Sequence, residues 1–362
     1  MTTRRRFLGS AGSLAGLMFC GCGLPRAAHA QRPAASLPVR VNGKRIKTID
    51  VHAHCYFQEA LDVDGDKVEK VIAPVKGIPE HFIAIEARLK AMDAMAIDME
   101  VLSINPYWYR KDRDKAEAVC RTNNEKLAEL CAQKPDRFAA FASLPMQFPD
   151  LAATMLETAV RKLGLKGAAI GASVNGDDFA RERFRPVLKK AEELGTVLFI
   201  HPQSTPQLAE RFKGNGWLSN TIGNPLDTTI ALQHLIFQGA LDRFPGLKVL
   251  AAHGGGFLPS YAMRGDHACF VSPTSCNPDI VLKKKPSEYV SQLYFDAMVF
   301  SGEGLRHLVA QVGASQLMLG TDHPIPWELA PVDHVMGTPI SDAEKAAILG
   351  ENAAKLLGIQ GA

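Results

Sequence analysis

Two histidines close an apolar segment near the start of the chain, Ile49-Asp50-Val51-His52-Ala53-His54. The apolar residues predict a strand, and side chains at positions i and i+2 of a strand point to the same face. His52 and His54 would therefore project together from the strand end and can bind one metal ion. Because this spacing alone is a weak signal, two solvated histidines at a strand end are the alternative.

Three other polar side chains follow apolar runs further along the chain. His201, His253 and Asp322 each come directly after such a run or within a few residues of its end. Taken singly, each has an ordinary interpretation, such as a hydrogen-bonded core histidine or a carboxylate that caps a helix. Taken together, they predict a functional site built at the ends of several strands.

The apolar runs alternate with longer segments of helical periodicity. Continuous apolar character is typical of parallel strands that are covered on both faces. The helix predicted over residues 184–194 ends before Gly195, as helices commonly do. This alternation predicts an α/β fold, a (β/α)8 TIM-type barrel, with a doubly wound sheet as the alternative. Strands are predicted at residues 48–51, 99–104, 138–144, 167–171, 197–200, 248–252, 293–299 and 316–320.

The catalytic groups of such barrels lie at the C-terminal ends of the strands, where all five residues fall. His52, His54, His201 and Asp322 form a ligand set of three imidazoles and one carboxylate. This set suits one divalent metal ion, Zn²⁺ first, with Mn²⁺, Fe²⁺ or Co²⁺ as alternatives. His253 is predicted to be a general acid/base or a ligand of a second metal, and Asp322 counts as catalytic as well as a ligand. Three glycines follow His253 and are predicted to let the backbone approach a substrate.

The first thirty residues differ from the rest in charge. They hold four arginines and no acidic residue, and the remainder has 37 basic and 38 acidic residues, although the whole chain carries +3. A near-neutral body predicts neither nucleic acid nor a membrane surface as partner.

Residues 1–30 are therefore predicted to be an export leader. Arg4-Arg5-Arg6-Phe7-Leu8 resembles the twin-arginine consensus, an apolar stretch follows, and Ala28-His29-Ala30 is a small-x-small cleavage signature. A membrane anchor is the alternative, which the glycines of the stretch disfavour. We expect a periplasmic or secreted protein, with a linker at 31–45 and the barrel domain at 46–362.

Five cysteines follow the leader. Their odd number and the lack of a CxxC pair predict buried or incidental thiols and no disulfide framework. They are Cys55, Cys120, Cys131, Cys269 and Cys276.

The motifs around the candidate ligands resemble the amidohydrolase superfamily. Within it, the chain is similar to the branch of aminocarboxymuconate-semialdehyde decarboxylase and related aromatic-acid decarboxylases, over about residues 46–360. The motifs are Ile49-Asp50-Val51-His52-Ala53-His54, Phe199-Ile200-His201-Pro202, Ala252-His253-Gly254-Gly255-Gly256 and Leu319-Gly320-Thr321-Asp322.

The resemblance implies further roles. It makes the four ligand residues a Zn²⁺ site and His253 the acid/base. Arg264 matches an arginine that binds a substrate carboxylate, often from the neighbouring subunit, so a homodimer is expected. Trp217 falls where the decarboxylase has an active-site tryptophan, and Asp296 is expected to support the site. A solvated helix arginine and simple loop packing are the alternatives for Arg264 and Trp217.

Two departures from the branch concern the substrate. No arginine lies between residues 55 and 87, where the decarboxylase has its second substrate-binding arginine, and His323 replaces an aromatic residue. Both argue against the semialdehyde. The metal chemistry is unaffected, and the leading hypothesis from the resemblance is non-oxidative decarboxylation, or a related lyase reaction, of an unsaturated or aromatic carboxylic acid. Hydrolysis of a lactone, amide or ester is the alternative, and a binding protein without metal would need a ligand to be missing.

Overall fold

Eight parallel strands close into a barrel in the computed structural model, which describes residues 35–71, 82–327 and 329–360. The last strand returns to the first, because Ala53 and His323 form a parallel bridge and Val51 N donates to Leu319 O at 2.9 Å. The predicted (β/α)8 barrel is confirmed. The strands are β1 (Ile49–His54), β2 (Met99–Ser103), β3 (Phe138–Ala140 and Ala142–Ser143), β4 (Gly167–Ile170), β5 (Val197–Ile200), β6 (Lys248–Ala251), β7 (Tyr294–Asp296) and β8 (Leu317–Met318).

Helices separate the strands along the chain. The long helix after β2 begins at Arg113 because the Asp112 side chain accepts a hydrogen bond from Lys115 N and caps it. No helix within the described residues is long and apolar enough to cross a membrane. The helices are α1 (Gln58–Asp62), α2 (Val68–Val71), α3 (Ile85–Ala94), α4 (Arg113–Gln133), α5 (Pro149–Arg161), α6 (Arg185–Leu194), α7 (Leu218–Thr221), α8 (Gly223–Phe237), α9 (Ala240–Arg243), α10 (Leu258–Val271), α11 (Gly302–Val312), α12 (Pro331–Gly337), α13 (Asp342–Ala346) and α14 (Asn352–Leu357).

The strands are buried on both faces, as their continuous apolar character predicts. Every residue of β1 is buried. Phe141 and Phe199 pack with Ile49 and Met318 in one core cluster, and a larger cluster contains residues of the surrounding helices. This double covering makes the barrel a packed core, so open space for a ligand lies at its ends.

The segment before β1 differs from the predicted linker. The pieces Arg40–Val41 and Lys44–Arg45 form a small antiparallel hairpin, and Val41 is buried. Asn42 and Gly43 form its turn, both with positive φ, and an Asn-Gly pair is a strong signal for a tight hairpin turn. The predicted leader, residues 1–30, lies outside the described residues.

The prediction for the cysteines is wrong at one pair. Cys269 and Cys276 form a disulfide, with their Cα atoms 5.7 Å apart. An odd number of cysteines does not exclude a local pair, and these two are seven residues apart. A turn after α10 brings them together. Cys55 and Cys120 are free and buried, and Cys131 is free and partly buried.

Candidate metal centre

Four donor side chains converge at the C-terminal mouth of the barrel. His52 and His54 come from β1, His201 follows β5, and Asp322 follows β8. One donor atom from each lies within 4.8 Å of the other three, and all four residues are buried. Residues from opposite sides of the barrel meet because its strands run in parallel and end at the same rim.

One carboxylate oxygen faces all three imidazoles. Asp322 Oδ1 lies 2.8 Å from His54 Nε2, 3.2 Å from His52 Nε2 and 3.8 Å from His201 Nε2. Neither ring nitrogen of His201 has a hydrogen-bond partner among the described residues. A buried polar atom without a partner is costly, and a metal ion would satisfy it. The donor set therefore fits a divalent cation.

Neighbouring side chains fix the orientation of the two β1 rings. His52 Nδ1 lies 2.7 Å from Asp296 Oδ2, and Ser103 Oγ lies 3.0 Å from His54 Nδ1. These contacts leave both Nε2 atoms to face Asp322, which is the arrangement that holds a metal-ligating histidine. Asp296 thus has the supporting contacts expected of it, whereas Ser103 was not anticipated.

Burial and charge set the protonation of the ligands. Burial lowers the pKa of both His54 and His201, which keeps these rings neutral, as metal binding requires. Burial also disfavours the charged form of His52, yet Asp322 and Asp296 together raise its pKa to about 10. Burial would raise the pKa of Asp322, but His52 and its neighbours hold it well below its usual range. The site is thus an ionised carboxylate beside two neutral imidazoles, those of His54 and His201, and a third, that of His52, whose charged form the two aspartates favour.

A buried charge network lies behind β1 and was missed in the sequence. Arg88 Nη1 is 2.6 Å from Glu100 Oε2, and its other terminal nitrogen donates to the carbonyl of His54. His323 Nδ1 lies 2.6 Å from Glu100 Oε1. The signal was available, because Glu100 places a charged residue between the apolar residues Met99 and Val101 of the buried β2. The network thus contacts the metal ligand His54 through its carbonyl, and it contacts His323, which directly follows the metal ligand Asp322.

His253 lies beside the four donor atoms. Its Nε2 is 3.8 Å from Asp322 Oδ2, its ring centroid is 5.3 Å from that of His201, and its side chain is 12% exposed. Its backbone has a φ of 56°, and His253 N donates to Asp296 at 2.9 Å. The ring therefore lies close to the ligands and keeps a small exposed fraction.

Packing within the chain explains the glycines after His253, whereas the sequence predicted that they let the backbone approach a substrate. A Cβ on Gly255 would lie 2.5 Å from the ring of Phe295, and one on Gly256 would lie 2.1 Å from Pro225 O. Both glycines also have positive φ. Glycine is required at both positions because β7 and α8 pack directly against this turn and leave no room for a side chain. This close packing holds the turn that carries His253.

A cavity of about 290 Å³ opens at the ligands. Trp217 lines it, together with His54, His201 and Asp322. Arg264 does not line it and is exposed on α10. Trp327, which sequence reasoning passed over, donates its Nε1 hydrogen to Asp322 Oδ2 at 3.0 Å. The structure thus brings together every predicted site residue except Arg264.

Barrel and ligand cluster together define a metal-dependent enzyme of the (β/α)8 type. The amidohydrolase family profile matches residues 49–359, and the chain belongs to this family.

Known relatives of the chain are decarboxylases. It is 32% identical to 2-amino-3-carboxymuconate-6-semialdehyde decarboxylase of Dictyostelium discoideum, over 86% of this chain and 85% of the relative. The crystal structure of 5-carboxyvanillate decarboxylase from Sphingomonas paucimobilis superimposes with a TM-score of 0.79 at 26% identity, covering 87% of this chain and all of the other. A dihydroxybenzoic acid decarboxylase from Polaromonas sp. JS666, solved with manganese and 2-nitroresorcinol, gives 0.74 at 27% identity, over 88% and 98%.

Proposed function

We propose that the protein is a metal-dependent, non-oxidative decarboxylase of an aromatic carboxylic acid. The observation that carries the proposal is the buried cluster of His52, His54, His201 and Asp322, the last three of which line one cavity. The volume of about 290 Å³ is at the low end for small-molecule sites, roughly 300–1,000 Å³, and favours a substrate with a single ring. The similar decarboxylases support the choice of reaction.

The ligand set favours Zn²⁺. Zinc is commonly bound by imidazole nitrogens together with a carboxylate oxygen, and Mn²⁺ is the alternative, since a related structure contains manganese. When bound, such an ion supplies a Lewis acid that polarises the substrate's oxygen atoms.

His253 is the group that moves the proton. As the bond between the ring carbon and the carboxylate breaks, CO₂ leaves and the ring carbon takes a proton from His253 Nε2. Solvent then restores the proton to His253, whose side chain is still partly exposed. His253 lies next to Asp322 but is not one of the four residues whose donor atoms all lie within 4.8 Å of one another, which suits a proton-transfer role.

A homodimer would give Arg264 its role. Arg264 lies on α10, whose exposed side chains include Tyr261 (61%), Met263 (66%) and Phe270 (85%). An apolar surface of this kind on a soluble protein favours burial against a partner, here a second copy. Arg264 would then reach the neighbour's cavity and bind a carboxylate there.

Export by the twin-arginine route completes the proposal. The arginine-rich start and the small-x-small sequence support it. The Cys269–Cys276 disulfide supports it as well, because such bonds persist in oxidising compartments. Fusing residues 1–35 to a reporter that works only when exported folded tests this, and a reporter that stays cytoplasmic would refute it.

The reaction is tested with purified protein loaded with Zn²⁺ or Mn²⁺. Hydroxybenzoates and muconate-type acids are screened for CO₂ release, and lactones and esters for acid release. We expect CO₂ from at least one aromatic acid and none from the His201→Ala variant. Acid release from lactones without any CO₂ release would assign the protein to the hydrolases instead.

A further inference from the structure

The two oxygens of the Asp322 carboxylate have different surroundings. Oδ1 faces the three imidazoles of the metal centre. Oδ2 accepts a hydrogen bond from Trp327 Nε1 at 3.0 Å and lies 3.8 Å from His253 Nε2. One oxygen is thus directed at the metal position, while the other is held by an indole.

Trp327 also stacks on the tryptophan of the cavity wall. The rings of Trp327 and Trp217 are nearly parallel, with an interplanar angle of 12° and centroids 5.6 Å apart. The ring of Phe300 also lies next to Trp327, and the centroids of these two rings are 6.0 Å apart. Trp217 is 36% exposed and lines the cavity that contains the ligands. A continuous path of contacts therefore runs from the cavity wall through Trp327 to a metal ligand.

An indole is well suited to this position. Its nitrogen is a donor only, so it cannot compete with the histidines as a metal ligand. A hydrogen bond to an ionised carboxylate is stronger than a neutral one, and it restricts rotation of the Asp322 side chain. The stack with Trp217 fixes the plane of the indole and therefore the direction of its N–H bond.

We propose that Trp327 is a positioning residue that holds Asp322 with one oxygen toward the metal, and that Trp217 fixes Trp327 by stacking. The metal affinity of the site then depends on a residue that does not bind metal. The cavity wall and the metal centre are coupled through the indole pair. The proposal rests on the metal centre and does not depend on which reaction the centre performs.

The test measures metal affinity without any substrate. Metal-stripped protein is titrated separately with Zn²⁺ and with Mn²⁺ against a chromophoric chelator. Trp327→Phe keeps an aromatic ring for the stack but loses the donor, so the dissociation constant should rise on the order of 10- to 100-fold. Trp217→Phe keeps the donor and still offers an aromatic ring on which Trp327 can stack, so it serves as the matched control, with a change of about threefold at most. Wild-type affinity in Trp327→Phe, or an equal loss in both variants, would overturn the proposal.

A second measurement uses the wild-type interaction itself, in case Trp327→Phe does not fold. The chain has three tryptophans, and Trp108 is buried elsewhere with its Nε1 bonded to Leu144 O. A stacked pair gives an exciton couplet in far-ultraviolet circular dichroism, which Trp217→Phe should abolish. Adding Zn²⁺ to metal-free wild type should change the amplitude of this couplet, because Asp322 accepts from one member of the pair. A couplet that does not respond to metal would overturn the coupling.

Discussion

The two ends of the barrel each contain a cavity, and their polar side chains are used differently. The C-terminal cavity of about 290 Å³ ends at His54, His201 and Asp322. The N-terminal cavity of about 350 Å³ is lined by lysine, amide and hydroxyl side chains, and no histidine or carboxylate is among the described residues around it.

The two ends differ in whether their polar side chains have hydrogen-bond partners within the protein. At the N-terminal end, Asn352 donates to the carbonyls of Ala314 and Leu317, each at 2.7 Å, and Gln316 donates to that of Leu293. At the C-terminal end, both ring nitrogens of His201 lack a partner among the described residues. Polar groups that complete the backbone's hydrogen bonds stabilise the fold, whereas buried groups left without partners indicate a ligand.

The largest expected effect comes from removing an unsatisfied ligand at the C-terminal end. His201→Ala should lower metal occupancy far below one per chain, because occupancy depends on the full ligand set, and turnover should fall to background. Metal analysis by mass spectrometry beside a CO₂ assay measures both. Asn352→Ala, at the other end, should leave occupancy unchanged. Equal metal loss in the two variants would erase the distinction between the ends.

A smaller effect is expected where a residue of the same end acts without binding metal. His253→Ala should keep about one metal per chain and lower kcat about 10²–10⁴-fold, the usual contribution of general acid–base catalysis. Metal content and kcat are measured on the same preparation. If His253→Ala lost metal as readily as His201→Ala, His253 would be a ligand and a two-metal hydrolase would become the better account.

The buried charges behind β1 should matter for stability at the C-terminal end. Glu100→Gln leaves Arg88 buried without its counter-charge, and breaking a buried pair in this way costs about 3–5 kcal/mol in the free energy of unfolding. Urea unfolding of metal-free protein measures it. Arg113→Ala, which removes an exposed pair with Asp150, is the control and should have little effect. A negligible loss for Glu100→Gln would mean that the network contributes no stability.

The smallest expected effect is at the N-terminal end. Asn352→Ala removes two hydrogen bonds, to Ala314 O and Leu317 O, and should cost about 1–3 kcal/mol in the free energy of unfolding. At the same time, kcat should stay at the wild-type value. Urea unfolding and the CO₂ assay on one preparation check the pair of results. A marked fall in kcat at full stability would show that this end takes part in function.

The sequence allowed the barrel and the positions of the candidate ligands to be predicted, because both depend on local pattern. Continuous apolar runs mark the strands, and histidines or an aspartate at their ends meet wherever parallel strands close. What was missed depends on contacts between distant parts of the chain. Arg88 contacts His323, 235 positions away, in the network around Glu100, and Trp327 stacks on Trp217.

Two local features were missed for other reasons. The hairpin around Asn42 and Gly43 carried its turn signal, but Pro33, Pro38 and the small and polar residues of this segment suggested a linker. The Cys269–Cys276 disulfide was missed because the odd number of cysteines after the leader was used and the local spacing of this pair was not. The role of Gly256 depended on the packing of α8, which no local pattern shows.

One measurement tests the central claim, a single-metal centre that decarboxylates, most directly. Metal-free protein is titrated with Zn²⁺, or with Mn²⁺ if zinc gives no activity, while CO₂ release from an accepted aromatic acid is followed. CO₂ release should rise in proportion to added metal and level off at one metal ion per chain. Saturation only at two per chain, or CO₂ release that persists without any metal, would contradict the account.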